Sequence, residues 1–389
     1  MCYNIFMSKH KRKKTSRKPK KSTLPRLLIL LVFAAAFAIV GLFAVGNVAR
    51  APLADLLLFG RQGEGFPVDF SYSHARQALA VGNSIALLGP TQFDIVSPSG
   101  YRSVQFAQPY AMPALRAAGG RALLFDRNLG SIAMFRRGGL LTTHEMEQGI
   151  FTVDISRHGA IAVATRSDRA AGEIFVFNPR GRQQLHWLVE REHPVALRLA
   201  DNGRTLGIAL AGVEQAGVYA RFVDFPLNAP QPRTDIRLPG VWLYDAATIA
   251  GGWLAVGNEA VYIIPHGATA AEELPFGGRT LLGFSLQNNG YSAVLLEDWD
   301  SQALLRVYNS RGALALEYSL AQRPHSVTAQ GRAVFLHVDD AVLRWQPRSG
   351  FSRSQPLPAG TQSVVIAGRE AYALSLRSVQ HMRLRWTAA

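Results

Sequence analysis

The chain has almost no cysteine, and its lysines stop early. The one cysteine is Cys2, so the large C-terminal region can form no disulfide, offers no thiolate nucleophile and holds no cysteine-based metal site. If translation starts at Met7 rather than Met1, even this cysteine is missing. All lysines lie between Lys9 and Lys21, and arginine is the only strong base thereafter. The stability of the large region must therefore come from packing.

Motifs of common catalytic and metal sites are absent as well. No pair of histidines forms HExxH or another short metal-ligand spacing, which disfavours a zinc site. Neither a GxxxxGK phosphate loop nor a GxSxG element occurs, so nucleotide hydrolysis and serine-hydrolase chemistry have no support. We predict no catalytic, cofactor-binding or metal-binding residue and no cofactor, and we expect a protein that is not an enzyme, although missing motifs alone leave catalysis open.

Acidic residues are missing from the N-terminal leader, where ten Lys or Arg lie between Lys9 and Arg26. The formal net charge of +15 is thus concentrated at this end, and the rest of the chain is only mildly basic. No Phe, Tyr or Trp lies between these two residues, so the leader lacks the stacking platform that single-stranded nucleic acids require. We predict that residues 1–26 form a basic cytoplasmic tail that contacts anionic lipid and no nucleic acid.

Charge is also missing from residues 27–49, which read LLILLVFAAAFAIVGLFAVGNVA. This stretch can cross about 30 Å of hydrocarbon as a helix, and it lacks the polar face of a buried soluble helix. A cleaved signal peptide would have a shorter apolar region, and Pro52 follows the small-residue stretch Ala49–Ala51 closely enough to obstruct cleavage. We predict a transmembrane signal-anchor helix, with the basic tail inside and everything after Arg50 outside the cytoplasmic membrane.

Short apolar runs recur with a period near forty residues after a linker at residues 50–65. Glycine turns recur in step with them, and Asn-Gly and Gly-Gly pairs among them supply the positive φ that tight hairpins need. These turns are Gly82-Asn83, Gly119-Gly120, His158-Gly159, Asn202-Gly203, Gly251-Gly252, Asn289-Gly290, Gln330-Gly331 and Ala367-Gly368. Turns of type I chemistry follow many of the runs, so each unit holds about four antiparallel strands. The runs begin at Phe93, Ile132, Ile174, Val218, Val261, Leu305, Val342 and His381.

Four-stranded units at this spacing are typical of a β-propeller, whereas tandem immunoglobulin-like domains would need about 100 residues each. We predict an all-β propeller at residues 66–389, with eight blades and with seven as the alternative, preceded by one transmembrane helix. The last unit ends soon after its third strand. We predict that Phe66–Phe70 pairs with this final blade and closes the ring, which would remove exposed edge strands.

The segment from Ile150 to Phe225 carries a resemblance to a known family. It contains EIFVFNPRG and VALRLADNGRTLGIAL in the order of that family. The chain resembles uncharacterised bacterial single-pass membrane proteins known as a domain of unknown function, with a basic tail, one anchor helix and an extracytoplasmic propeller related to WD40 and quinoprotein-like folds. The resemblance implies no catalytic residues. The chain lacks the Trp-Asp of true WD40 repeats and the vicinal cysteines of quinoprotein dehydrogenases.

Charged clusters in the turns are the local candidates for binding, and each has a structural interpretation. The acidic run Glu297–Ser301 lacks the ligand order of a calcium loop, and Asp339–Asp340 occupies the equivalent turn of the next unit. Arg136–Gly139 and Arg180–Arg182 could line an anion-binding face, but arginine replaces lysine throughout this region. Histidines near turns are expected to be solvated, namely His158, His193 and His325.

These patterns favour a non-catalytic binding or scaffold module at the cell envelope, with a protein or an envelope component as its ligand. Fold alone does not assign function, so an extracytoplasmic hydrolase or quinoprotein-like oxidoreductase is the alternative. Its site would lie at the channel mouth, where strands from several blades converge. Several buried, convergent Asp, His or Arg side chains at one rim would favour the enzyme.

Overall fold

The computed structural model describes residues 64–72, 74–297 and 302–388, and the regular structure in these residues is β-strand throughout. Over the ranges just given, no helix is long and apolar enough to cross a membrane. The predicted tail and anchor lie outside the described residues, as does most of the predicted linker.

The strands form eight antiparallel sheets, one for each repeat, and these sheets are the blades of a propeller. Blades 1 to 4 consist of β2 (Gln77–Val81), β3 (Ser84–Leu88), β4 (Gln92–Val96) and β5 (Arg102–Ala107); β6 (Pro113–Ala118), β7 (Arg121–Asp126), β8 (Ser131–Arg136) and β9 (Gly139–Glu145); β10 (Ile150–Ile155), β11 (Ile161–Thr165), β12 (Gly172–Phe177) and β13 (Gln183–Val189); and β14 (His193–Leu199), β15 (Thr205–Glu214), β16 (Gly217–Pro226) and β17 (Thr234–Pro239).

Blades 5 to 8 continue the same order, and the first and last strands of the domain complete the set. They are β18 (Leu243–Ile249), β19 (Gly252–Gly257), β20 (Ala260–Pro265) and β21 (Glu272–Pro275); β22 (Leu281–Ser285), β23 (Ser292–Glu297), β24 (Ala303–Tyr308) and β25 (Leu314–Leu320); β26 (Ser326–Gln330), β27 (Ala333–Val338), β28 (Ala341–Gln346), β29 (Gly350–Ser354) and β33 (Trp386–Ala388); and β30 (Ser363–Ala367), β31 (Glu370–Leu374), β32 (Ser378–Arg383) and β1 (Val68–Asp69). The prediction of eight blades is confirmed.

Local turn chemistry explains why each repeat forms hairpins. Gly331 and Gly368 have φ angles of 62° and 70°, a region in which other L-residues are strained, and each joins the first two strands of its blade. Asn178 shows the second type of turn, since its Oδ1 accepts hydrogen bonds from the backbone N–H groups of Arg180 and Arg182 at 2.9 and 3.1 Å.

The core consists of eight hydrophobic clusters, one at each interface between neighbouring blades. The cluster between blades 4 and 5 contains Phe222 and Trp253, both fully buried, with ring centroids 5.7 Å apart. Each buried side chain of this size contributes about 1.5–3 kcal/mol, so every blade depends on both of its neighbours. The fold is therefore one cooperative ring rather than a row of independent domains.

The ring is closed by the segment that precedes the first blade, as predicted for Phe66–Phe70. Val68 pairs with Val379 and Asp69 with Ser378, so β1 becomes the fourth strand of blade 8. The C-terminus adds a contact that the sequence did not predict. After β32 the chain crosses to blade 7, where β33 pairs with β29 as a fifth strand.

The propeller has two faces, because the chain reverses alternately at opposite ends of each blade. The connections from first to second strand and from third to fourth strand emerge at one face. The connections from second to third strand, and from each blade to the next, emerge at the opposite face. The first strands contact their counterparts in adjacent blades, so they surround the central channel.

Candidate functional site

The two faces carry very different charge. The face formed by the first-to-second and third-to-fourth connections is named here the arginine face. In the described residues these connections contain one acid, Asp201, while Glu64 and Glu370 lie beside them. Its connections contribute ten arginines: Arg137, Arg157, Arg180, Arg182, Arg204, Arg233, Arg311, Arg332, Arg348 and Arg369. Arg233 pairs with Asp224, but the arginines of this face still far outnumber its acids.

The opposite face is close to balanced in the part of the chain that the structure describes. Its arginines are Arg76, Arg127, Arg166, Arg169, Arg191, Arg279, Arg323 and Arg377. Its acids are Glu147, Asp168, Glu190, Glu192, Glu259, Asp339 and Asp340. Composition alone would explain arginine on both faces, so the scarcity of acids in the connections of the arginine face is what distinguishes the two faces.

The two arginine-rich hairpins singled out in the sequence both lie on the arginine face. Arg137 donates a hydrogen bond to Asn83 Oδ1 of blade 1 at 3.1 Å, which ties two neighbouring blades together. Arg180 and Arg182 are exposed at the tip of their turn. Both hairpins therefore lie on one face, and Arg137 has a structural contact there.

A cavity of about 400 Å³ opens between blades 7 and 8 on the arginine face. Its wall joins the turn after β26, the turn after β30 and the crossing from β32 to β33. We name it the arginine cleft and define it by Arg332, Arg344, Arg369, Arg383, Phe335 and Trp386. Cationic side chains and an aromatic floor thus meet in one concave site.

The positive charge of the arginine cleft is barely compensated. Glu370 is the one acid in its wall, and Glu370 Oε2 already lies 2.8 Å from Nε2 of His381. Arg332, Arg369 and Arg383 are exposed, and no hydrogen bond or ion pair holds the side chain of any of the three within the described ranges. Three guanidinium groups therefore remain available to a ligand.

Arg344 lies deeper in the arginine cleft. Its guanidinium carbon is 4.3 Å from the ring centroid of Trp386, and its Nε donates a hydrogen bond to Ser352 Oγ at 3.2 Å. Burial lowers the pKa of Arg344, and no carboxylate opposes the effect. An arginine placed on an indole without a counter-ion is well suited to meet an incoming anion.

The cleft continues into a second cavity of about 240 Å³. Arg332 and Gln346 line both cavities, and Arg348 in the turn between β28 and β29 extends the basic wall.

A second charged cluster lies along the central channel, on the first strands of four consecutive blades. Arg198 Nε donates to Asp245 Oδ1 at 2.7 Å, and Arg198 Nη2 pairs with the other oxygen of the same carboxylate. Arg198 Nη1 is 3.5 Å from Asp154 Oδ1. Asp154 Oδ2 accepts the backbone N–H of Leu199 at 2.7 Å, while Arg116 stands nearby on the first strand of blade 2. This network joins blades 3, 4 and 5.

The charges of the channel cluster neutralise one another. Burial raises the pKa of Asp154, and the guanidinium of Arg198 opposes that rise. Burial works to lower the pKa of Arg198, but Asp245 and Asp154 outweigh it, so the pKa is raised. For Arg116, burial and the nearby Arg198 both lower the pKa. Both carboxylates are committed to arginine or to backbone, so the cluster offers no free general base.

The remaining candidates have structural partners. Asp340 pairs with Arg353 at 2.6 Å and Glu297 with Arg323 at 3.5 Å, whereas residues 298–301 of the predicted acidic run lie outside the described residues. His158 Nδ1 lies 2.8 Å from the carbonyl oxygen of Asp201.

The other two histidines contact aromatic rings. His193 packs edge-on against Phe151 and His325 lies against His337. Across residues 64–72, 74–297 and 302–388, no group of three or more His, Cys, Asp or Glu could hold a metal ion.

Sequence reasoning missed the arginine cleft because its residues are far apart along the chain. A weak signal was present, since Gly331-Arg332 and Gly368-Arg369 repeat the same pair one blade apart. Nothing in the sequence indicates that Arg383 and Trp386 would join them, because this depends on the crossing of the C-terminus to blade 7.

Comparison with known proteins agrees with this fold. Residues 102–228 match the model of DUF5711, a family of unknown function, over less than half of the chain. No curated protein matches the sequence. The resemblance stated from Ile150 to Phe225 falls inside the matched region.

Several solved structures share the architecture at low sequence identity. The C-terminal WD40 domain of Sif2 is 10% identical, with a TM-score of 0.58, and the match covers 82% of this chain and 99% of that one. The dihydro-heme d1 dehydrogenase NirN in complex with DHE is 13% identical, with a TM-score of 0.53 and coverage of 84% and 81%. A eukaryotic initiation factor is 11% identical, with a TM-score of 0.51 and coverage of 82% and 90%. At such identities the likeness shows the fold alone: the chain contains an eight-bladed, WD40-like β-propeller of unknown function.

Proposed function

We propose that this protein is a non-catalytic binding module, anchored in the cytoplasmic membrane by residues 27–49, which exposes its propeller outside and holds an anionic ligand on its arginine face. The observation that carries the proposal is the arginine cleft. Its guanidinium groups have almost no acidic partner, and an anion is the ligand that would complete them.

A charged side chain without a partner carries a free-energy cost once part of its hydration is lost. A cation that is partly removed from water loses favourable hydration free energy, and the binding of an anion offsets this loss. Arginine presents a planar fork that matches carboxylate and phosphate oxygens, so several arginines around one cavity favour a ligand with these groups. The Trp386 ring beside Arg344 adds an apolar contact for the body of such a ligand.

The enzyme alternative rests on the channel cluster, where Asp and Arg side chains converge as that hypothesis requires. Catalysis of hydrolysis there would need a free acid or base within reach of a substrate. Asp154 and Asp245 are instead engaged with Arg198 and with backbone N–H groups. The cluster is better explained as a clamp between blades.

Membrane orientation is tested by protease treatment of intact cells that produce the full chain with one tag at each end. The C-terminal tag should be lost to external protease and the N-terminal tag should be retained, because the basic tail holds the N-terminus inside. Retention of both tags in intact cells, with loss of the C-terminal tag only after lysis, would overturn the proposed location.

Anion binding is tested with residues 51–389, a compact unit that contains all eight sheets and all eight interface clusters. The triple variant Arg332→Gln, Arg369→Gln, Arg383→Gln should elute from phosphocellulose at clearly lower salt than the unaltered unit. The matched variant Arg166→Gln, Arg191→Gln, Arg377→Gln removes the same charge from the opposite face and should elute close to the unaltered unit. Equal shifts for both variants would show that net charge alone is responsible.

A further inference from the structure

The described part of the chain begins on the arginine face. Gly65 packs directly against Gly100, in the turn between β4 and β5, and leaves no room for a side chain at Gly100. This turn belongs to the arginine face. The tether from the predicted anchor therefore reaches the propeller at the arginine face and not at the opposite one.

The entry point of the tether is also next to the arginine cleft. The ring of Phe66 lies 5.3 Å from the ring of His381, and His381 bonds to Glu370 in the cleft wall. The predicted membrane helix ends at Ala49, and the chain from there to Glu64 can span at most roughly 50 Å when fully extended. A short tether thus keeps the cleft within reach of the bilayer surface.

The spread of the charge points to an extended ligand. Exposed arginines of the arginine face come from five blades, and blade 2 adds the half-buried Arg137. The exposed ones are Arg157 from blade 3, Arg204 from blade 4, Arg311 from blade 6, Arg332 from blade 7 and Arg369 from blade 8. A bound peptide or a small anion would neutralise only one sector of this ring. A flat sheet of anionic headgroups would face all of it.

We propose that the arginine face binds the anionic phospholipid surface from which the anchor emerges, with a headgroup phosphate seated in the arginine cleft. This inference rests on the proposed function and names its ligand. Guanidinium groups bind phosphate oxygens in pairs, and basic residues near a surface that contains anionic lipid gain from its negative potential. Trp386 and Phe335 lie beside these arginines, and Trp in particular is a side chain favoured at the membrane interface.

The test uses residues 51–389, without the anchor, in sedimentation with vesicles at low salt. The probes are vesicles of phosphatidylcholine alone and of phosphatidylcholine with roughly 30 mol% of the anionic lipid phosphatidylglycerol. We expect binding to the anionic vesicles that is at least about 100-fold tighter than to the neutral ones, and a steep loss of binding as salt is raised.

Matched variants locate the binding surface. The triple variant of Arg332, Arg369 and Arg383 to Gln should weaken binding on the order of 100-fold, whereas the triple variant of Arg166, Arg191 and Arg377 should change it less than about threefold. Circular dichroism and urea unfolding of both variants show whether each remains folded. Equal affinity for neutral and anionic vesicles, or equal loss in both variants, would overturn the proposal.

Two soluble anions distinguish a lipid headgroup phosphate from a carboxylate-rich peptide as the ligand of the arginine cleft. Glycerol phosphate at millimolar concentration should displace the protein from vesicles if the cleft holds a headgroup phosphate. If a polyglutamate peptide binds the arginine cleft while anionic vesicles do not bind at all, the lipid proposal is overturned. The proposed function, an anion-binding module, would still stand in that case because phosphocellulose retention tests it separately.

Discussion

Gly207 shows how a single missing side chain shapes an interface. A Cβ at this position would lie 2.7 Å from the ring of Trp253, which is fully buried on β19 of the next blade. Because the indole is enclosed by Phe222 and its other neighbours, it has no free space into which it could move. The glycine is therefore required by packing rather than by its φ angle.

Replacing Gly207 with alanine should lower the free energy of unfolding by about 1–3 kcal/mol, since an added methyl group overpacks the interface between blades 4 and 5. Gly283→Ala is the control, because Gly283 also lies in a strand and no atom lies within 4 Å of its added Cβ. Urea unfolding of both variants measures the effect. Similar stability of the two would show that the Trp253 site can relax.

The sequence could predict the turns but not the residues that meet across them. Gly331 and Gly368 were recognisable because hairpin chemistry is local. Arg332, Arg369 and Arg383 meet only because blades 7 and 8 adjoin, and a position within a repeat says nothing about which side chain faces it from the next blade. Binding sites between blades are for this reason harder to predict from the sequence than the blades themselves.

At the scale of the strand, the first strand of every blade is a sheet edge whose outer N–H groups need partners. Neighbouring blades supply them through side chains. Gln77 both accepts the N–H of Leu115 at 2.9 Å and donates to its carbonyl oxygen at 3.1 Å. Ser285 Oγ accepts the N–H of Ala329 at 2.9 Å. Edges around the channel are thus covered by polar contacts between blades.

Arg198 is the central member of this set, and its replacement by methionine should destabilise the protein by about 3 kcal/mol at neutral pH. The change leaves Asp154 and Asp245 without their shared counter-ion in a protected site. Arg191→Met, on the exposed opposite face, should cost far less. Urea unfolding gives both values, and equal losses would contradict a clamp between blades.

The same variant has a defined pH dependence. Burial already raises the pKa of Asp154 above its ordinary value of 3.8, and loss of Arg198 raises it further. A carboxyl group whose pKa is higher in the folded than in the unfolded state stabilises the folded state at low pH. This stabilisation is lost as the pH rises through the pKa of the folded state. The deficit of Arg198→Met relative to the unaltered protein should therefore shrink between pH 7 and pH 4. A deficit that stays constant with pH would mean that uncompensated carboxylates are not its cause.

At the scale of the whole molecule, periodicity predicted the blade count and the closing segment because a ring of stacked sheets must repeat and must hide its last edge. The C-terminal crossing was not predictable, since β33 has only three residues and no periodic signal. It nevertheless matters, because it carries Trp386 into the arginine cleft. The C-terminal link from blade 8 to blade 7 and the candidate ligand site are thus parts of one arrangement.

Closure by β1 can be tested with one buried residue. Val68 is 8% exposed and packs among Val379, Tyr372 and Ile85 at the interface of blades 8 and 1. Val68→Asp places an unpaired carboxylate there and should lower the free energy of unfolding by about 3 kcal/mol or more. Asp69→Asn alters the neighbouring exposed position of the same strand and should leave stability nearly unchanged.

If β1 is what covers the edge of β32, Val68→Asp should also associate into larger species as its concentration rises, because an uncovered strand pairs with other chains. Urea unfolding and light scattering measure the two effects, and a destabilised variant that stays monomeric at every concentration would show that something other than β1 protects this edge.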